Sequence, residues 1–201
     1  MRQLQRQLWA VAKRAPGRRF HALYGQMCRG DVPHEAWKRV RRNKGAAGVD
    51  RLTIGEIEQY GVRRFLEELG EVLRAGAYGA QVVRRPTFQR QMGRSDPGHP
   101  DGADRVVQMA AKLVLEPICE ADFGPCSYGF RPKRSAQMAL QRLRQLGKPR
   151  RGSRAGRRHR ELLRQHRARK PLTLVGQRVS DRKMPGLVRQ WLQAGVMEDG
   201  W

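Results

Sequence analysis

Two stretches of this 201-residue chain carry no apolar periodicity, and they set what the rest can fold into. The first covers residues 86–103, where Pro86, Pro97 and Pro100 stand among Gly, Asp and Arg with little to bury. Clusters of that kind read as loop. The second covers residues 147–170, where Lys148, Arg150, Arg151, Arg154 and their basic successors face a single acid, Glu161. A block so charged and so poor in apolar side chains cannot bury enough surface to offset the entropy of ordering it. The foldable parts are the segments on either side.

Those segments carry the spacing of amphipathic helices. Leu4, Leu8 and Val11 predict a basic helix over residues 2–14, and Leu23, Tyr24 and Met27 a second within Phe20–Cys28. Pro33 opens a third, continued by Ala36, Trp37 and Val40. Residues 43–54 read as a loop. Thr53 is then a helix cap with Glu56 as its capping-box partner. The stripe Ile54, Ile57, Phe65, Leu66, Leu69, Val72 and Leu73 predicts one helix, closed by Gly76. Gln81 to Val83 starts a strand. Order returns at Asp104, and Val106, Val107, Ala110, Leu113, Val114 and Ile118 predict a helix to Glu120. Ser135 caps another with Ala139, Leu140, Leu143 and Leu146. Leu172, Leu174 and Val175, then Leu187, Val188, Trp191, Leu192 and Val196, predict two closing helices. The second is expected to start late or kink at Pro185 and Gly186.

The net charge is +24 and the pI about 11.5. Self-repulsion on that scale calls for a polyanionic partner, and nucleic acid is the natural one because each neutralised phosphate releases counterions. Most of the basic residues are Arg, which forks onto a phosphate where Lys presents a point charge; an Arg-rich composition also follows from a GC-rich genome. No apolar run approaches the ~20 residues needed to span a bilayer, so no membrane partner is expected. The opening Met1-Arg-Gln-Leu-Gln-Arg-Gln-Leu8 has no apolar core of a signal peptide. Cys28, Cys119 and Cys126 lack the spacing and His partners of a zinc site, and read as free, buried or half-buried thiols in a reducing cytoplasm.

Four stretches, in order, resemble the group II intron-encoded reverse transcriptase/maturase family. Asn43-Lys-Gly-Ala-Ala-Gly-Val-Asp50 resembles its N-terminal extension. The helix from Asp104 to Ile118 is similar to its fingers region. Phe123-Gly-Pro-Cys-Ser-Tyr-Gly-Phe-Arg-Pro-Lys-Arg-Ser135 is the most specific match. Arg178 to Lys183 and Trp191 to Gly200 look like the stretch before that family's Gly-Gln-Gly-Gly-type motif.

The resemblance implies an α+β fold, a partial right-hand polymerase with fingers helices and an incomplete palm, mainly helical in this chain. Residues 1–42 would be a basic helical extension and 43–146 a fingers-like region with an irregular insert at 86–103. Residues 147–171 would be an Arg-rich segment in place of the first palm strand, and 172–201 a helical palm-adjacent piece. The implied activity is that of an RNA-directed DNA polymerase, a nucleotidyltransferase, and intron maturase. The implied partners are intron RNA or template, with DNA and a downstream-encoded palm and thumb chain as further candidates. The residues expected to touch RNA are Lys44, Tyr128, Phe130, Arg131, Lys133 and Arg134. Flat aromatic faces suit bases and sugars, and the basic side chains suit phosphates. The alternatives are that Tyr128 and Phe130 pack under a turn forced by Gly129 and Pro132, and that Lys44 is a solvated loop lysine.

Phosphoryl transfer to a growing strand needs two metal ions about 3.5–4 Å apart, held by carboxylates. The family supplies one Asp on the first palm strand and two in a Tyr-x-Asp-Asp turn. This chain has no Asp between Asp122 and Asp181. Asp181 reads as a first-turn helix acid and Asp199 as a loop acid. No catalytic or metal-binding residue is therefore assigned, and Mg²⁺ is expected in an intact family member but not here.

A shifted reading frame over about residues 86–103 and 156–171 would account for the aperiodic blocks, and is the expectation here. Codons for Arg158 to Lys170 can be chosen so that another frame spells Ala-Asp-Ile-Ala-Ser-Tyr-Phe-Gly-Ser-Ile-Glu-His-Glu, a family palm strand with its metal-binding Asp. Codons for Thr87 to Asp96 can likewise hide Ile-Pro-Lys-Ala-Asp-Gly-Gln-Ile-Arg-Pro. The expected function is thus an RNA-binding reverse transcriptase-like fragment, inactive alone. The alternatives are the N-terminal half of a split enzyme, or a basic RNA-binding protein with no enzymatic ancestry.

Overall fold

The computed structural model describes residues 1–43, 53–81, 83–85, 102–146, 169–194 and 196–198, with backbone alone at 83–85, 169–170 and 196–198. The glycine-rich loop up to residue 52 and the blocks 86–101 and 147–168 lie outside the described residues. The described chain is mostly helical, as expected.

Its centre is a 21-residue helix. We number the helices α1 (Arg2–Arg14), α2 (Leu23–Met27), α3 (Asp31–Arg42), α4 (Ile54–Tyr60), α5 (Val62–Ala75), α6 (Gly102–Asp122), α7 (Ala136–Leu146), α8 (Arg169–Arg178) and α9 (Lys183–Gln193). Helix α6 buries Val106, Val107, Ala110, Leu113, Val114 and Ile118, the periodic positions of the sequence. Against it pack α1, through Leu4 and Ala12, and α3, through Val32, Ala36, Trp37 and Val40. The larger of these side chains, from Val upward, each contribute about 2 kcal/mol by leaving water. Residues 1–42 and the long helix therefore share one core.

Pro117 lies inside α6. It has no amide to close the ring onto the carbonyl four residues earlier, that of Leu113. The Gln5 side-chain amide donates to that carbonyl at 3.0 Å. Lys13 Nζ donates to the Ala121 carbonyl at 3.3 Å, near the end of the same helix. Helix α1 is thus fixed to α6 at two heights by polar side chains beside its apolar stripe.

The Thr53–Glu56 capping box is present: Glu56 N donates to Thr53 Oγ1 at 3.2 Å, and Thr53 N to Glu56 Oε2 at 2.6 Å. The single helix expected after it is two. Gly61 has φ +105°, a value that L side chains rarely adopt, and it turns the chain between α4 and α5. Tyr60 and Glu68 bridge that break, hydroxyl to carboxylate, at 2.8 Å. Gly76, with φ +73°, ends α5, and Ala77 N reaches back to the Val72 carbonyl at 3.0 Å.

Other expectations need correction. The helix expected over Phe20–Cys28 is only the five residues of α2. Phe20 instead forms a parallel bridge with Val179, its amide donating to the Arg178 carbonyl at 2.7 Å. Helix α9 neither starts late nor breaks at Pro185. It begins at Lys183, so Pro185 sits in the first turn, where its missing N–H has no helical acceptor to lose. Asp181 caps that end, accepting from Lys183 N at 3.0 Å and from Tyr24 N at 2.8 Å. Val196 lies not in a helix but in a strand. β1 (Val83–Arg85) and β2 (Val196–Glu198) pair in parallel, Val83 opposite Val196 and Arg85 opposite Glu198. Cys119 and Cys126 are exposed, and Cys28 is half-buried.

Two buried polar centres tie the segments together. Asp104, 2% exposed in the first turn of α6, accepts from the Tyr78 hydroxyl at 2.6 Å and from Gln81 N at 3.0 Å. Trp191 Nε1 of α9 donates to the same Tyr78 oxygen at 2.9 Å. Arg178, 9% exposed, pairs through Nε with Asp122 at 2.9 Å and donates to the carbonyls of Ala12 (3.1 Å), Ala15 (3.2 Å) and Pro16. A cation there faces the C-terminal ends of α1 and α6, where the helix dipoles favour it.

Candidate nucleic-acid interface

The most specific family-like segment, Phe123 to Ser135, is the connection from α6 to α7. Its shape is set by one guanidinium. Arg131 Nε donates to the two Glu120 oxygens at 3.1 and 3.0 Å, and Nη2 to Oε1 at 2.5 Å. Nη1 donates to the carbonyls of Gly124 (2.8 Å) and Ser127 (2.9 Å), and the group lies 5.2 Å over the Phe123 ring. The bonds from Arg131 hold the Glu120 carboxyl below the ordinary carboxylate range. Ser135 then starts α7, its hydroxyl accepting from Met138 N at 3.2 Å.

That clasp orders a turn with two non-glycine residues in the left-handed region: Phe130 at φ +55° and Lys133 at φ +58°. Such conformations persist where the surroundings impose them, and they concentrate at functional sites. Phe130 is fully exposed. Tyr128 is half-buried, with the Arg134 guanidinium 5.0 Å from its ring centre, and Arg134 Nη1 donates to the Pro125 carbonyl at 3.1 Å.

The structure therefore brings five of the six sequence-selected residues into one turn. Phe130 and Lys133 face solvent, Tyr128 and Arg134 form a stacked pair, and Arg131 is the brace, its side chain 6% exposed. Lys44 lies outside the described residues. The residue that reading missed is Glu120. Its signal was an acid two residues before the end of a long apolar helix, eleven before an Arg flanked by Phe and Pro.

Among the described residues, no three His, Cys, Asp or Glu side chains gather where a metal ion could be held, and Asp104, Asp122 and Asp181 are engaged as above. These residues do not fit the metal site of a polymerase. Among the described residues, no helix is long and apolar enough to cross a membrane.

Comparison with known proteins gives the lineage. Group II intron-encoded protein LtrA of Lactococcus lactis subsp. cremoris is 28% identical over 192 residues, 90% of this chain. The chain is related to the group II intron-encoded proteins. Protein YkfC of Escherichia coli (strain K12) is 33% identical over 141 residues, 69% of this chain. The matches cover 30% of the intron-encoded protein and 37% of YkfC, so the chain spans about a third of the relatives it matches. No family model matches the chain.

Proposed function

We propose that this chain is an RNA-binding piece of a reverse transcriptase/maturase, a partial fingers-and-palm assembly that carries no polymerase activity alone. The observation behind the RNA reading is the α6–α7 turn. It presents a fully exposed Phe130 beside Lys133 and the Tyr128–Arg134 pair on a chain of net charge +24. An exposed ring offers a stacking face for an unpaired base, and the cations beside it offer phosphate contacts. Arg131 acts as a positioning residue through Glu120. Inactivity as a polymerase would follow from the aspartates: none stands between Asp122 and Asp181, and Asp104, Asp122 and Asp181 are engaged elsewhere in the described fold. The test is twofold: anisotropy of a labelled RNA with the full chain, where Phe130→Ala and Lys133→Gln each weaken binding several-fold, and primer extension with Mg²⁺, where no product forms. Primer extension by the pure chain overturns the inactive reading.

A split enzyme is the second reading, and α7 favours it. Leu140, Leu143 and Leu146 form an exposed apolar stripe on a helix with no buried residue among those described. A separately encoded palm chain would cover it, since the relatives are about three times longer. Primer extension that appears on adding a downstream-encoded chain, and is lost in Leu143→Glu, selects this reading. The shifted-frame account has its own test: the nucleotides encoding Arg158 to Lys170, read in all frames, should spell the palm strand.

A further inference from the structure

The face of α1 turned away from the core carries Arg2, Arg6 and Trp9, spaced i, i+4, i+7 along one side. The opposite side, with Leu4 and Ala12, packs on α6. Trp9 is 45% exposed. A singly exposed apolar residue is ordinary, but this one has unusual neighbours. Lys133, held by its left-handed backbone in the α6–α7 turn, reaches the same place. Arg2, Gln5, Arg6, Trp9 and Lys133 together line a cleft of about 580 Å³, with no carboxylate among the described residues of its wall. The floor is fixed, because Gln5 is bonded to α6. Arg2 and Gln5 are also shared with a second cleft of about 580 Å³, lined further by Arg39, Arg42 and Lys112 and by one acid, Glu35, which is paired with Arg39 at 3.2 Å.

An indole face flanked by three cations with no acidic partner among the described residues, opening onto a further basic groove, matches one ligand chemistry: a stacked base with phosphates on either side. We propose that the Trp9 cleft is a subsite for an unpaired nucleotide of single-stranded RNA, with the base on the indole and the flanking phosphates at Arg6 and Lys133. The strand continues past Arg2 towards Arg39 and Arg42. This deepens the RNA-binding reading above and rests on it. It adds a second stacking platform on a different element from Phe130. A duplex hides its bases, so the subsite selects single strands.

The experiment uses the full chain, a fluorescein-labelled twelve-nucleotide single-stranded RNA and its duplex. Trp9→Ala is expected to weaken single-strand binding about tenfold or more, and Trp9→Phe much less, because a smaller ring still stacks. Arg6→Gln is expected to flatten the log–log salt slope by about 0.7, one single-strand phosphate contact. Duplex affinity stays unchanged in Trp9→Ala. Because Trp9 is exposed, circular dichroism of each variant should match the parent. Tight, salt-sensitive RNA binding that Trp9→Ala and Arg6→Gln leave within twofold overturns the subsite and spares the broader reading. Absence of RNA binding by the parent overturns both. Equal loss of duplex and single-strand binding in Trp9→Ala contradicts base stacking.

Discussion

The side-chain amide of Gln5 sits 3.0 Å from the Leu113 carbonyl, the one that Pro117 leaves without a helical donor. The proline in the central helix and the glutamine in the first helix are thus parts of one arrangement. Gln5→Leu should remove the donor and leave a part-buried carbonyl unpaired, costing about 1–2 kcal/mol. Gln3→Leu, at an exposed position of the same helix, should stay within about 0.5 kcal/mol. Urea unfolding followed by circular dichroism reads both.

Arg178→Met should be the more damaging change. It strands the carbonyls of Ala12, Ala15 and Pro16 and the carboxylate of Asp122. Discounting for the part-exposed Asp122, the expected loss is about 2–3 kcal/mol. Arg178→Lys should recover only part of it, since an ammonium cannot reach several acceptors in a plane. Urea midpoints of the two variants check the order.

Much of the helical layout was legible from spacing alone, because burial against a core enforces the helical period. The capping box at Thr53, the cap at Ser135 and the stop at Gly76 were legible for the same local reason: each is settled by residues within one turn. What the pattern could not give were features fixed by distant partners. Phe20 joins a bridge because Val179 lies beside it, and Val196 is a strand residue because β1 is there to pair. The break at Gly61 was hidden because the apolar stripe continues across it. At the candidate interface, the residue types were readable, but their division of labour was not. Arg131 reads as a phosphate ligand until Glu120 appears next to it.

Two glycines should respond with opposite signs. Gly61→Ala forces a side chain onto φ +105° and should cost about 1–2 kcal/mol. Gly25→Ala, in helix α2 with open space around its Cα, should be neutral or stabilise by up to about 1 kcal/mol. Thermal unfolding of the two variants tests the pair.

Acid should loosen the α6–α7 turn. Arg131 depresses the Glu120 pKa in the folded chain, so this pair contributes stability above the unfolded carboxylate range. That contribution is lost as pH falls through the lower folded value. Amide exchange in Phe123–Ser135, normalised for intrinsic rates, should therefore speed up as pH drops below the ordinary glutamate range. In Glu120→Gln it should be fast throughout, with no such step. Exchange that ignores both the acid and the substitution contradicts the clasp.

The claim on which the functional reading rests is that the turn after α6 holds RNA. Its most direct measurement is the affinity of the full chain for a labelled single-stranded RNA across a salt series, repeated with Phe130→Ala/Lys133→Gln. The account predicts a linear fall of log affinity with log salt, and a loss of about tenfold or more in the double variant. An RNA affinity that the double variant leaves unchanged, or that does not respond to salt, contradicts it.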